Sequence, residues 1–211
     1  MYHDKEKIYM RRLKETRGAY TIYYYEVDIT EAMRKKAYEF SEKIIKSNNQ
    51  YERLVASENV EIQRTYVGKL GEVAFYELLK QKGINIDISD MFEIFSGQAN
   101  VDNFDFVTKS GETVDIKTGF RDIHKKLLIN KEQFENIPKD YYVGVKLNAK
   151  DDTNSLTKEI DINSITKATI YGYADYNFLK NKVGYKYFGE DYAKFIEYNQ
   201  LMGIDKLLSK F

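Results

Sequence analysis

Asp115-Ile116-Lys117 sets a carboxylate and an ammonium two residues apart. In a strand such residues share a face, about 7 Å apart along it. Val114 and Ile116 alternate with them and supply an apolar opposite face. No other Asp or Glu in the chain has a Lys two positions on, so the pattern occurs at one place only. A second acid, Asp105, lies upstream between Phe104 and Phe106, an unusual setting for a solvated carboxylate. Whether it meets Asp115 depends on the turn. A two-residue loop, Ser110-Gly111, would set Asp105 opposite Ile116 and send the two acids to opposite faces. A three-residue loop, Lys109-Ser110-Gly111, would set it opposite Asp115. Three-residue hairpins typically take a left-handed residue third, where Gly111 sits. Facing carboxylates repel and destabilise a hairpin. That register therefore calls for a cation, and a hard divalent ion with oxygen ligands is the natural one. The alternative is an Asp105 that caps a strand end or accepts from backbone amides.

A third acid, Glu72, lies in Gly68-Lys69-Leu70-Gly71-Glu72-Val73-Ala74. Along a helix its neighbours ahead are Phe75, Tyr76 and Leu79. A carboxylate on so apolar a ridge is expected to be partly buried and to need a partner. Gly68 and Gly71 each cost helix stability, roughly 1 kcal/mol. The cost makes sense where a helix packs closely on a sheet or approaches a phosphate.

The elements that must position these residues can be read around them. A helix is expected from about Tyr66 to Gln81, stopped by Gly83. Phe104–Lys109 and Thr113–Thr118 read as two strands. Asn130 is placed to cap a short helix over Lys131–Ile137. Tyr141–Leu147 and Ile165–Ala174 read as further strands, with a polar loop at Asn148–Thr157 between them. Upstream, Thr21–Val27 is strand-like. Thr30 caps a helix bearing Met33, Ala37, Phe40, Ile44 and Ile45 at helical spacing. The tail from Tyr192 carries Leu201, Ile204, Leu207 and Leu208 and reads as a closing helix. The class is α/β or α+β.

A G-x-x-G-E-x-A helix, then an Asp, then D/E-x-K about ten residues later on the next strand resembles the PD-(D/E)xK nucleases. The resemblance covers Tyr66 to Leu147. It departs at Phe104, where proline is common, and at Asp115, the shorter of the two acids the motif allows. It implies a restriction-endonuclease-like core, a central mixed β-sheet flanked by helices. The expected layout is one domain: a mainly helical N-terminal extension (1–65), a catalytic core (66–147) and a strand and helix extension (148–211). Carried over, Asp105, Asp115 and the carbonyl of Ile116 would hold Mg²⁺, with Mn²⁺ as a substitute. Glu72 would assist through a water or a second metal. Lys117 would orient the attacking water and offset charge on the phosphorane. Asp102 competes for the place given to Asp105. Gln133 resembles a glutamine that some relatives place near the metal.

The resemblance thus implies a Mg²⁺-dependent endodeoxyribonuclease of restriction type, acting on DNA as a homodimer, since double-strand cleavage needs two active sites. Structure-specific nucleases and a non-catalytic DNA-binding protein of the same fold are the alternatives. Arg121, Lys125 and Lys126 follow the active strand and are candidate phosphate contacts. His124 is read as a surface histidine rather than a general base. Arg11, Arg12, Lys14 and Arg17 form one further basic cluster, and Arg34, Lys35 and Lys36 another. Either could line a groove.

Composition sets outer limits. The chain has 211 residues, 33 basic and 33 acidic, which argues against a histone-like polycation but not against a local basic groove. There is no Cys, and His3 and His124 are the only histidines. Disulfides are impossible, and structural zinc is close to excluded. No apolar run reaches the roughly 20 residues of a membrane span. Met1 to Arg17 is charged and unlike a signal peptide. A cytoplasmic, non-membrane protein is expected.

Overall fold

The computed structural model describes residues 8–47, 58–92, 104–149, 161–189 and 191–211. In chain order the strands and helices are β1 (Met10–Arg17), β2 (Tyr20–Asp28), α1 (Glu31–Ser47), α2 (Glu58–Gln81), β3 (Phe106–Val107), β4 (Thr113–Gly119), β5 (Lys126–Asn130), α3 (Lys131–Asn136), β6 (Tyr141–Leu147), β7 (Lys167–Asp175), α4 (Tyr176–Lys182), β8 (Tyr185–Tyr187), β9 (Tyr192–Glu197) and α5 (Ile204–Leu208). Six strands form one mixed sheet in the order β1-β2-β7-β6-β4-β3. Only β4 and β6 run parallel; the other pairs are antiparallel. The parallel pair needs a crossover, and β5 and α3 supply it. A second, three-stranded sheet, β5-β9-β8, is antiparallel.

Burial follows the alternation of the strands. Val114 and Ile116 of β4, with Val143, Val145 and Leu147 of β6, pack against Leu70, Val73, Ala74, Phe75 and Leu78 of α2. Residues of the other parity, Tyr142 and Ala174 among them, enter a second cluster with Leu127, Ile129, Phe134, Tyr198 and Leu201. The sheet is thus covered on both faces by apolar side chains. Among the described residues, no helix is long and apolar enough to cross a membrane.

In the 1–65 segment α1 and the start of α2 make up most of the described residues, and the β1–β2 hairpin joins the main sheet through β2 and β7. β1 is a charged edge strand, MRRLKETR, whose side chains mask its pairing. The 148–211 segment holds strands and helices, and its β7 sits between β2 and β6 in the main sheet. The closing helix is confined to Ile204–Leu208, and the tail before it holds β9 and a short 3-10 turn. Other expectations match. α2 begins earlier than Tyr66, at Glu58, and ends before Gly83, whose φ of +76° needs glycine. Thr30 Oγ1 accepts from the Met33 N–H at 3.2 Å, and Asn130 Oδ1 accepts from the N–H groups of Glu132 and Gln133. The Asn148–Thr157 loop falls largely outside the described residues.

Candidate active site at the beta3 to beta4 hairpin

The hairpin turns through Lys109-Ser110-Gly111. Thr108 and Glu112 flank the loop, with Thr108 N–H donating to Glu112 O at 2.9 Å, and Gly111 takes φ +85°. Phe106 pairs with Val114 and Val107 with Thr113. The ladder ends there: the Asp105 N–H donates to the Val114 carbonyl at 3.0 Å, one residue out of that register, so Asp105 lies just beyond the paired strand. The C-terminus braces the turn: Lys210 Nζ donates to both carboxylate oxygens of Glu112, at 2.9 and 3.0 Å. Tyr141 Oη also donates to Glu112, at 2.7 Å. The Tyr141, Lys210 and Ser110 donors together hold the Glu112 carboxyl down at about 2.

Asp105 accepts from the Ile116 N–H at 2.6 Å through Oδ2. It therefore binds a backbone amide, as the structural alternative expected, and lies within electrostatic reach of Asp115 and Glu72. Its carboxyl pKa is raised well above the usual carboxylate range. Desolvation is the main cause, then the negative charges of Glu72 and Asp115; the Ile116 amide and Lys117 act the other way. The residue as a whole is only partly buried, so it is the carboxyl group that is turned inward. All four residues singled out from the sequence thus bear on one point.

Asp115 is buried. Lys117 Nζ lies 2.6 Å from Asp115 Oδ2, and donates to Gln133 Oε1 at 2.8 Å. The contact with Asp115 is an ion pair without hydrogen-bond alignment, so Oδ2 is buried with no hydrogen-bond partner. Gln133, carried in by α3, fixes the ammonium from its other side. Glu72 has its partner too: Lys69, one turn earlier on α2, reaches its Oε2 at 2.6 Å and the Met91 carbonyl at 2.9 Å. α2 comes this close because of Gly71, where an added Cβ would lie 1.9 Å from Thr118 Oγ1. Gly68 has a different surrounding: nothing stands within 4 Å of the place its Cβ would take.

Two lysines of the site escaped the sequence. Lys69 stands in the quoted glycine motif, but its burial is invisible there. Lys139 follows Pro138 with no periodic signal; it is buried, and its Nζ donates to the Ile137 carbonyl at 2.6 Å. Desolvation lowers its pKa, while Asp115 and Asp105 pull it up and Lys117 pushes it down. A second ammonium therefore stands within electrostatic reach of the paired acids.

The remaining candidates separate. Lys125 is exposed. Lys126 pairs with Glu197 at 3.1 Å. Arg121 is 1 % exposed, which leaves it no open surface to meet a phosphate. Lys146 Nζ donates to the carbonyls of Arg121 and His124. His124 Nδ1 accepts from the Phe120 and Arg121 N–H groups at 3.1 and 3.2 Å, a local turn contact rather than a base's. Arg11, Arg12 and Lys14 lie on β1, at the opposite edge of the sheet from β3, and Arg12 is tied to Asp205 at 2.7 Å. Arg34 Nη1 donates to the Ile29 and Ile165 carbonyls. Asp102 and His3 lie outside the described residues.

Among the described residues, no three Asp, Glu or His side chains form a ready-made metal-ligand cluster. Lys69 and Lys117 engage two of the acids instead. The donors fit a hard cation in kind: carboxylate oxygens, one of them buried without a hydrogen bond, and a carbonyl. Ile116 turns its N–H toward Asp105, and in an extended strand its C=O points to the same side. No family model, curated protein or solved structure matches the chain.

Proposed function

We propose that this chain is a metal-dependent endodeoxyribonuclease of the PD-(D/E)xK kind, with Glu72, Asp105, Asp115 and Lys117 as its active site. One observation carries the reading: the desolvated Asp105 carboxyl, bound to the Ile116 N–H, lies within electrostatic reach of Glu72, Asp115 and Lys117. Burying like charges together is costly in a purely structural role. It is useful where a cation and a phosphate are to be bound.

Asp105, Asp115, the Ile116 carbonyl and Glu72 would hold Mg²⁺. When bound, the ion supplies Lewis acidity at a phosphate oxygen and a water of lowered pKa. Lys117, held between Asp115 and Gln133, presents a fixed point charge beside the acids. It orients the nucleophile and offsets charge that develops on phosphorus. Lys139 adds positive potential at the same place. A restriction-type homodimer cutting both strands is the preferred form of the activity. A non-catalytic DNA-binding protein is the second reading, favoured by the Lys69–Glu72 and Lys117–Asp115 pairs, which neutralise two acids within the chain.

Plasmid cleavage separates the two. The purified protein is expected to nick or linearise plasmid DNA in Mg²⁺ and to be silent in EDTA. Lys117→Ala should lower the rate by at least about a hundredfold while DNA binding persists. Undiminished cleavage by Lys117→Ala would refute the assignment, and DNA binding without any cleavage would favour the second reading.

A further inference from the structure

We propose that a tyrosine ledge on the small sheet binds single-stranded DNA next to the candidate site; the choice of DNA rests on the nuclease reading. The segment Tyr176 to Gly189 carries five aromatic residues and three lysines and contains no acid. It forms α4 and β8, and β8 is the exposed edge of its sheet. Tyr185 and Tyr187 share one face of β8 by the strand period. Tyr187 pairs across the ladder with Tyr192, and both are 55 % exposed. Their rings stand 5.5 Å apart at 56°, so neither covers the other. Tyr187 Oη donates to the Gly189 carbonyl at 2.8 Å, which anchors that ring. Large aromatic area on an exposed edge is an aggregation hazard unless something uses it.

The charges point to the occupant. Lys180 and Lys182 of α4 and Lys186 of β8 are exposed in the same segment, Lys186 on the other face of the strand from Tyr185 and Tyr187. Lys131 Nζ lies 5.6 Å from the Tyr185 ring centroid. Two acids close by are engaged: Glu135 bonds the Tyr185 hydroxyl, and Asp191 accepts from Asn130 Nδ2 at 2.8 Å. Exposed π faces beside Lys131, with further lysines in the same segment, suit a strand whose bases are unpaired, since a duplex hides its base faces. The ledge and the candidate site both border α3. Lys131 opens α3, and two residues on, Gln133 holds Lys117.

The test is fluorescence anisotropy with dye-labelled oligodeoxynucleotides of about 20 nucleotides, single-stranded and duplex, in EDTA so that nothing is cut. The Tyr187→Ala/Tyr192→Ala protein is expected to bind single strands about tenfold or more weakly, with duplex affinity unchanged. Tyr187→Phe/Tyr192→Phe should keep full affinity, because stacking needs the ring and not the hydroxyl. Replacing Lys180, Lys182 and Lys186 by Gln should flatten the salt dependence. Unchanged single-strand affinity in the alanine variant overturns the proposal. So does an equal loss for duplex, or tighter binding of an RNA strand of the same sequence. Failure of Mg²⁺-dependent cleavage with this pattern intact removes the nuclease reading alone. The converse result removes the ledge alone.

Discussion

Asp105 is the residue on which cost and use meet. Its carboxyl is desolvated and feels the charges of two other carboxylates, so its folded pKa lies above its unfolded value of about 3.9. The folded protein then binds the extra proton more readily than the unfolded chain does. The sign follows: stability from this group is fully present below the unfolded pKa and is lost as pH rises through the raised folded pKa. Asp105→Asn keeps an oxygen for the Ile116 N–H and removes the charge. In EDTA near neutral pH it is expected to stabilise the fold by about 0.5–2 kcal/mol while abolishing cleavage. Urea unfolding of both proteins at pH 4 and pH 7 checks this. A variant less stable than the parent at pH 7 would mean that Asp105 is held by favourable contacts instead.

At the scale of elements, the glycines of α2 discriminate between packing and open space. Gly71→Ala pushes a methyl into Thr118 Oγ1, Cβ and Cγ2. Overpacking of this kind costs about 1–3 kcal/mol, more than the roughly 1 kcal/mol that Ala gains over Gly in a helix. Gly68→Ala meets nothing and should stabilise by up to about 1 kcal/mol. Thermal unfolding of the two variants should therefore shift in opposite directions; equal shifts would contradict the close approach of α2 to β4. The turn was legible in the sequence because turn chemistry is local: Gly111 in the third loop position goes with the pairing of Val107 with Thr113 and Phe106 with Val114, and the departure at Asp105, whose N–H meets the Val114 carbonyl, was not. α1, α3 and β6 were legible through caps and apolar period. β1 was not, because an edge strand with Arg11, Arg12 and Lys14 has no apolar alternation. Nor was β8, whose three residues are all exposed. The roles of Lys69 and Lys139 depend on burial that distant elements create, and no local pattern announces them.

At the scale of the whole molecule, the far side of the sheet is tied together by one polar network. Arg12 of β1 and Tyr25 of β2 donate to Asp205 of α5, at 2.7 and 2.6 Å. Lys82, just past α2, donates to the Tyr25 hydroxyl at 2.7 Å. Burial, then the bond to Asp205, pushes the Tyr25 hydroxyl up to about 12. Asp205→Ala would leave that hydroxyl, on a side chain with no exposed surface, without its acceptor. A loss of about 1–3 kcal/mol is expected, measurable as a lower urea midpoint with an unchanged slope. A loss near zero would show that Tyr25 finds another acceptor. The same distances explain why the N-terminal basic cluster does not serve the candidate site: it belongs to this opposite edge.

Uptake of a divalent ion by three carboxylates of one chain decides the nuclease reading. Electron paramagnetic resonance of free Mn²⁺ measures this directly, because the solution signal falls as the ion is bound. The wild-type protein is expected to remove Mn²⁺ from solution, with Mg²⁺ competing, and Asp105→Asn and Asp115→Asn proteins are expected to leave the signal at its protein-free level. A wild-type protein that leaves Mn²⁺ as free as both variants do would contradict it.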